Sequence, residues 1–245
     1  MPIRSRGVLF TSLVSAVALG LFVATLSVPF TGAGERLIFL EDALWSLSWL
    51  LIARASFREH RAGFPPRAIA PALAVELFLV IYYGLLHPWP YRPEFFANYL
   101  LWPVTSLFNL AAIALYSREE LVANGQPKLF ALRFLGELVF YGALFTWASR
   151  FLPLHLVMTY LGQMVIFLIS LFFFLRLRFT QNTEGISVAG NLTRVLAGGL
   201  CYYVNAFVRS EELTGLLFLQ VLMPLGLLLD LAFLGGLMRL RRRTQ

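Results

Sequence analysis

The sequence predicts an all-α fold, a polytopic membrane helix bundle with about eight transmembrane helices and with the N-terminus and C-terminus both cytoplasmic. Three observations predict this fold. Hydrophobic residues make up 59% of the 245 residues and charged residues only 13%, a balance far from that of soluble domains. Apolar runs long enough to cross about 30 Å of hydrocarbon recur along the chain. Lys and Arg concentrate in alternate connections between these runs.

The apolar runs divide the chain into helices separated by short connections rich in Gly, Pro, Asn and charged residues. We expect one integral membrane domain over residues 1–245, without a soluble domain. The first run is longer than the apolar region of a signal peptide, so we expect it to be retained as a helix. The predicted helices cover roughly residues 8–30, 37–54, 69–87, 97–117, 129–149, 152–177, 192–208 and 214–238.

The basic residues test this topology independently, because Lys and Arg favour cytoplasmic loops. Of the 20 Lys and Arg residues, only Arg36, Arg92, Arg150 and Arg209 would lie outside if the N-terminus is cytoplasmic, which leaves 16 inside. Adding or removing one helix would destroy this asymmetry. The basic residues therefore support eight crossings.

The formal charge of +7 does not indicate nucleic-acid binding, because the basic residues form short clusters between apolar runs rather than one basic face. We expect these clusters to contact anionic lipid headgroups at the cytoplasmic face of the bilayer. The single cysteine, Cys201, is read as a small core residue. The three histidines belong to no paired metal-binding motif, so no metal site and no cofactor are predicted.

Ionisable and amide side chains inside a membrane span are costly, and they face a partner or a watery cavity. The predicted topology places Glu41 and Asp42 about one turn below the outer surface, on a helix whose Asp42 face also carries two tryptophans. Acids this close to the interface also have a structural explanation, since they can reach the headgroups. The candidates for binding a ligand or ion at one outward-facing vestibule are Glu41, Asp42, Glu76, Asn98, His155 and Asn205.

Three further charged residues are candidates for a buried charge network. Arg133 and Glu137 are four residues apart on one predicted helix, a spacing that favours an ion pair within the helix. Asp230 has no partner on its own helix, and its predicted depth suggests a contact with Arg133 across the bundle. No catalytic residue is assigned from the sequence.

The buried carboxylates favour a small transporter or permease that binds a cation, a proton or a small ligand. Two alternatives stay open: a non-catalytic subunit or assembly factor, with other membrane protein subunits as partners, and an integral membrane enzyme acting on a lipid or lipid-linked substrate. Enzymatic activity is left undecided, with a non-enzymatic role favoured. The compact chain and the strong charge bias point to a bacterial inner membrane.

Overall fold

The computed structural model describes residues 3–26, 33–81, 93–117, 127–152, 154–208 and 217–244. Within these ranges the regular secondary structure is entirely helical, which confirms the all-α prediction. A π-helical turn, Val204–Val208, directly continues the seventh helix. The eight α-helices of the described ranges are α1 Ile3–Leu26, α2 Ala33–Glu59, α3 Ile69–Ile81, α4 Pro93–Tyr116, α5 Pro127–Ala148, α6 Leu154–Thr180, α7 Val188–Tyr203 and α8 Leu217–Thr244.

Each predicted helix has a counterpart, but several boundaries differ. The boundary difference with the largest consequence is the start of α7, which begins at Val188 instead of near residue 192. Its start is fixed by Ser187, whose hydroxyl oxygen accepts a hydrogen bond from Gly190 N at 3.0 Å, the usual role of an N-cap serine. The earlier start moves Arg194 from the end of the helix into its second turn.

The bundle is built around α2, which packs against α1, α4 and α7. Helix α3 contacts α4, α5 and α6, and α8 contacts α6 and α7. A hydrogen bond from Ser48 Oγ to Gly190 O, 2.9 Å long, joins α2 to the first turn of α7. The buried core runs along these contacts and includes Trp49, Ile52, Phe173 and Phe233.

Two loops interlock at one end of the bundle, after α2 and before α7. Gly185 has a positive φ of 75°, which favours glycine, and a Cβ there would lie only 2.5 Å from Arg61 O. A Cβ on Gly63 would collide with Gly185 O. Arg176, from α6, donates to the carbonyl oxygens of Ala62 and Gly63 at 2.6 and 3.0 Å. These contacts fix the ends of α2, α6 and α7 relative to one another.

The outside of the bundle is strongly apolar. Large side chains such as Leu132, Val139, Trp147 and Phe151 are each at least 60% exposed, a pattern that suits contact with lipid rather than water. Two segments of the described ranges are long and apolar enough to cross a membrane, Tyr160–Thr180 and Gln220–Arg243. These two are fewer than the eight predicted crossings, so the number of spans stays a prediction.

Candidate functional site

Glu76 is a carboxyl group buried between helices. It lies on the short apolar helix α3 and is 5% exposed. Ser106 Oγ, on α4, donates a hydrogen bond to Glu76 Oε1 at 2.8 Å. The other carboxyl oxygen, Oε2, is buried and has no hydrogen-bond partner. A buried polar atom without a partner is costly, which makes this carboxyl group a candidate for binding a proton or a ligand.

The face of α4 around Ser106 supplies further polar groups. Asn109, three residues on and therefore on the same face, donates through Nδ2 to Trp49 O at 3.1 Å and to Thr105 O at 3.0 Å. Its side-chain oxygen has no partner. The bond to Trp49 O thus joins α4 to the backbone of α2, while the bond to Thr105 O stays within α4.

A small apolar gap adjoins α3, the helix that carries Glu76. It lies between α3, α5 and α6 and is too narrow to hold a water molecule; its lining residues are Val75, Phe78, Phe145, Val157, Leu161 and Gly162. Val75 is the immediate neighbour of Glu76 in the chain. The helix that carries the acid is therefore packed on this side against closely fitting apolar side chains.

A row of aromatic rings passes through the core from α2 to α8. Trp45 and Trp49 lie 5.5 Å apart between ring centroids, and Trp49 meets Phe64 edge to face at 4.9 Å. Phe64, Phe173 and Phe233 follow at 5.4 and 5.3 Å. The faces of aromatic rings attract cations, so this row, the aromatic row, provides a buried surface suited to positive charge.

Arg194 and Asp230 form a buried ion pair at the end of the aromatic row. Arg194 Nη2 lies 3.0 Å from Asp230 Oδ1, and both side chains are almost completely buried. The contact lacks hydrogen-bond geometry, and Nε, Nη1 and Nη2 of Arg194 all lack hydrogen-bond partners. The guanidinium carbon lies 4.0 Å from the Phe173 ring centroid and 5.4 Å from that of Phe233. The Arg194 guanidinium is therefore buried against these two rings as well as against Asp230.

The predicted contact between Asp230 and Arg133 is wrong. Arg133 lies on α5 and forms the predicted helical ion pair with Glu137, with 2.6 Å between Arg133 Nε and Glu137 Oε1. The Arg133 side chain is 55% exposed. Its burial was overestimated because helical depth alone does not tell which face of α5 meets the bundle.

A second polar cluster surrounds Cys201 on α7. Gln163 Nε2, from α6, lies 3.0 Å from Cys201 Sγ, and Asn205 Nδ2 lies 3.5 Å from it. The Glu41 carboxyl lies near the same sulfur. Asp42 is 5% exposed, and its Oδ2 has no hydrogen-bond partner. The structure thus brings Glu41, Asp42 and Asn205 into one region, although two of its residues, Gln163 and Cys201, were not predicted as site residues.

The remaining predicted site residues are placed less completely. Asn98 and His155 lie on α4 and α6, and their side chains fall outside the described residues. Among the residues that are described, no group of three or more His, Cys, Asp or Glu side chains could hold a metal ion.

Sequence reasoning missed Arg194 as a buried residue, because it had been counted among the 16 cytoplasmic basic residues. The available signal was Ser187, an N-cap residue that would have placed Arg194 inside an apolar helix. Ser106 carried no comparable signal, because serine is common in apolar helices and only the packing of α3 on α4 aligns it with Glu76.

The described fold and site define a class of protein: a helical membrane protein whose buried acids lie near apolar and aromatic surfaces. Residues 31–216 match the family of Pyr4-like transmembrane terpene cyclases. The match covers more than half of the chain, and the chain belongs to this family. No curated protein and no solved structure matches it.

Membership of this family corrects two predictions. The transporter or permease is wrong, because the family consists of terpene cyclases. The preference for a non-enzymatic role is wrong for the same reason. The second alternative, an integral membrane enzyme, agrees with the family, and so does the prediction of an integral membrane protein.

Proposed function

We propose that this chain cyclises an acyclic isoprenoid within the membrane and that Glu76 donates the proton that starts the reaction. The observation that carries the proposal is the burial of Glu76 with one carboxyl oxygen bonded to Ser106 and the other without a partner. A carboxyl group in an apolar setting can act as a general acid at neutral pH. The family description supplies the terpene substrate class.

The reaction is an isomerisation that needs no co-reactant. The Glu76 proton forms a C–H bond at a substrate double bond, or an O–H bond at an epoxide oxygen while the C–O bond breaks. The carbocation left behind is attacked by the electron pair of another double bond, which closes the ring through a new C–C bond. A base then removes a proton next to the final cation, and the released electron pair becomes a double bond.

The aromatic row supports the carbocation steps of this proposal. A cation over an aromatic face gains about 0.5–1 kcal/mol at exposed sites and about 2 kcal/mol or more when desolvated. Trp45 and Trp49 are 5% and 4% exposed, so their rings act in the desolvated range. They lie on α2, which packs against both α4 and α7.

Asp230 is proposed as the base that receives the last proton. It is the buried acid that has a cationic neighbour, Arg194 at 3.0 Å, and a nearby guanidinium stabilises a carboxylate. Glu76, in contrast, has the neutral hydroxyl of Ser106 beside it. Two carboxyl groups in different environments can divide the roles of acid and base.

The test uses membranes containing the full chain, incubated with acyclic isoprenoid alcohols of increasing length and with their terminal epoxides. Cyclised products are identified by gas chromatography and mass spectrometry. We expect Glu76→Gln to lower turnover by about 10²–10⁴-fold, the contribution of a general acid, while Glu76→Asp retains part of the activity. Glu137→Gln is the matched control, because Glu137 lies on the surface of α5. Full activity of Glu76→Gln would refute the proposed role of Glu76.

Asp42 is the second candidate for the acid, because its Oδ2 is also buried without a partner. With Glu41 and Asn205, it is otherwise proposed to bind a polar group of the substrate near Cys201. Asp42→Asn in the same assay separates these roles. A loss as large as that of Glu76→Gln supports an acid, whereas a raised KM with unchanged kcat supports binding.

We further propose eight membrane crossings with both termini in the cytoplasm, and contact between the basic end of the bundle and anionic lipid headgroups. The charge asymmetry of the loops supports both proposals, and it also supports a bacterial inner membrane as the location. Single cysteines placed in the connections of a Cys201→Ser variant, labelled with an impermeant thiol reagent in intact cells, test the topology. Binding of this chain to other membrane protein subunits stays a prediction.

A further inference from the structure

The outer surface of α5 carries a charged pair near the middle of the helix. Glu137 lies ten residues after the first residue of α5, Pro127, and eleven before the last, Ala148. At a rise of about 1.5 Å per residue this is about 15 Å from either end, the centre of a hydrocarbon layer about 30 Å thick. Arg133 Nε lies 2.6 Å from Glu137 Oε1. The arginine is therefore held toward the centre of the bilayer instead of reaching for the headgroups.

This pair is costly on a surface that meets lipid. The Arg133 and Glu137 side chains are 55% and 29% exposed, whereas charged side chains within the hydrocarbon almost always face other protein or a watery cavity. Their mutual bond lowers the cost but does not remove it, because both groups have left water. In the part of the chain that the structure describes, α5 packs against α3 and α6 with another face, which carries Phe134, Leu138 and Phe145. We therefore expect protein rather than lipid to cover the pair.

The charged pair begins a regular stripe along α5. Three more residues continue it toward the end of the helix, and the spacing alternates between four and three residues. This is the heptad spacing of helices that pack side by side in left-handed pairs, in water and in membranes. Phe140 and Trp147 are 61% and 60% exposed. The stripe, the α5 seam, consists of Arg133, Glu137, Phe140, Leu144 and Trp147.

Charge complementarity indicates what covers the seam. In an isologous interface residue i meets residue j and j meets i, so two copies of the seam bring Arg133 of each copy beside Glu137 of the other. Two copies with the same orientation in the membrane have parallel α5 helices, and a heptad seam suits parallel packing. The guanidinium has five N–H donors, and the bond within α5 uses Nε. Any other partner would need an acid and a base of its own at the same depth.

We propose that two copies of this chain pair in the membrane along the α5 seam, with Arg133 of each copy bound to Glu137 of the other. The inference goes beyond the proposed reaction and depends only on the proposed crossing of the membrane by α5. Glu76 and Asp230 lie on α3 and α8, outside the seam. Each copy therefore contains both acids of the proposed reaction, and turnover does not require pairing.

The first experiment tests the seam by disulfide cross-linking in native membranes. A single cysteine replaces Phe140 in a Cys201→Ser variant of the full chain, and copper phenanthroline is the oxidant. Val139→Cys is the matched control, because Val139 is adjacent in the chain and 69% exposed but lies outside the seam. A disulfide requires the two Cα atoms to come within about 7 Å. We expect a cross-linked dimer with Phe140→Cys and none with Val139→Cys.

The second experiment tests the charges in lipid vesicles. Förster transfer between donor-labelled and acceptor-labelled copies is followed as the protein-to-lipid ratio is lowered. We expect Glu137→Gln to weaken pairing by about tenfold, as loss of interhelical polar contacts does in membranes. Arg133→Glu and Glu137→Arg should each fail to pair with themselves but should pair with each other when mixed, because one copy then presents two acids and the other two arginines. If a reversed-charge variant does not fold, Glu137→Gln and the cross-linking still decide.

Four outcomes overturn the proposal: a monomer at every protein-to-lipid ratio, equal cross-linking by Phe140→Cys and Val139→Cys, unchanged pairing of Glu137→Gln, or a cross-link from Phe140→Cys only to a protein of another mass. The last outcome would assign the seam to a different membrane protein. Turnover of isoprenoids in the same membranes separates the two proposals. An active monomer refutes the pairing alone, whereas a seam-linked dimer without turnover supports the pairing and counts against the proposed reaction.

Discussion

Substitution of either member of the buried pair Arg194 and Asp230 should destabilise the protein, but unequally. Asp230→Asn leaves the guanidinium with no counter-charge, and arginine cannot lose its proton in a protein. The Arg194 side chain is 0% exposed, so water does not compensate. Loss of one partner of a buried pair costs about 3–5 kcal/mol, or roughly two to three and a half decades in the unfolding equilibrium at about 1.4 kcal/mol per decade.

Arg194→Met should cost less, because the Asp230 carboxyl can become neutral by binding a proton. An unpaired buried polar group then costs about 1–3 kcal/mol. The double variant Arg194→Met, Asp230→Leu removes both charges, and we expect it to be more stable than Asp230→Asn. Unfolding in mixed detergent and dodecyl sulfate micelles, followed by tryptophan fluorescence, gives the free energies. A larger loss for Arg194→Met than for Asp230→Asn, or a double variant that is no more stable than Asp230→Asn, would refute this account of the pair.

Two further predictions concern the interlocked loops and the start of α7. Gly185→Ala should destabilise the protein by more than about 1 kcal/mol, since φ is 75° and the new Cβ would approach Arg61 O. The same unfolding assay measures this loss. An unchanged unfolding midpoint would contradict the described loop contact. Ser187→Ala should lower the free energy of unfolding by about 1 kcal/mol, because the hydrogen bond from Gly190 N is lost. Ser187→Asp should keep most of that stability, since aspartate also caps helices. Equal stability of Ser187→Ala and the wild type would contradict the cap.

The helices could be predicted because burial and lipid contact both require apolar residues over whole turns, a pattern visible in sequence. The burial of Asp42 and Glu76 was also foreseeable, since acids in apolar runs must avoid lipid. Their partners were not, because the contact between Glu76 and Ser106 depends on how α3 lies against α4. The periodicity of a single helix does not tell which of its residues meet a particular residue on a neighbouring helix.

The charge pair shows a different limit. Arg194 was counted as cytoplasmic because the predicted helix began at residue 192, only two residues before it, and Ser187 was not recognised as the cap of a longer helix. Once α7 begins at Val188, Arg194 must be buried and needs an acid. Asp230 was recognised as unpaired within its helix, but assigning its partner required the packing of α7 against α8.

The central claim is that Glu76 carries the proton that starts cyclisation, and infrared spectroscopy tests it most directly. Spectra of the wild type and Glu76→Gln are compared at neutral pH in membranes, in H2O and in D2O. The account predicts the carbonyl band of a protonated carboxyl group in the wild type, shifted by D2O and missing from Glu76→Gln, while Glu137→Gln keeps it. Identical carboxyl bands in the wild type and Glu76→Gln would show that Glu76 holds no proton to donate and would contradict the account.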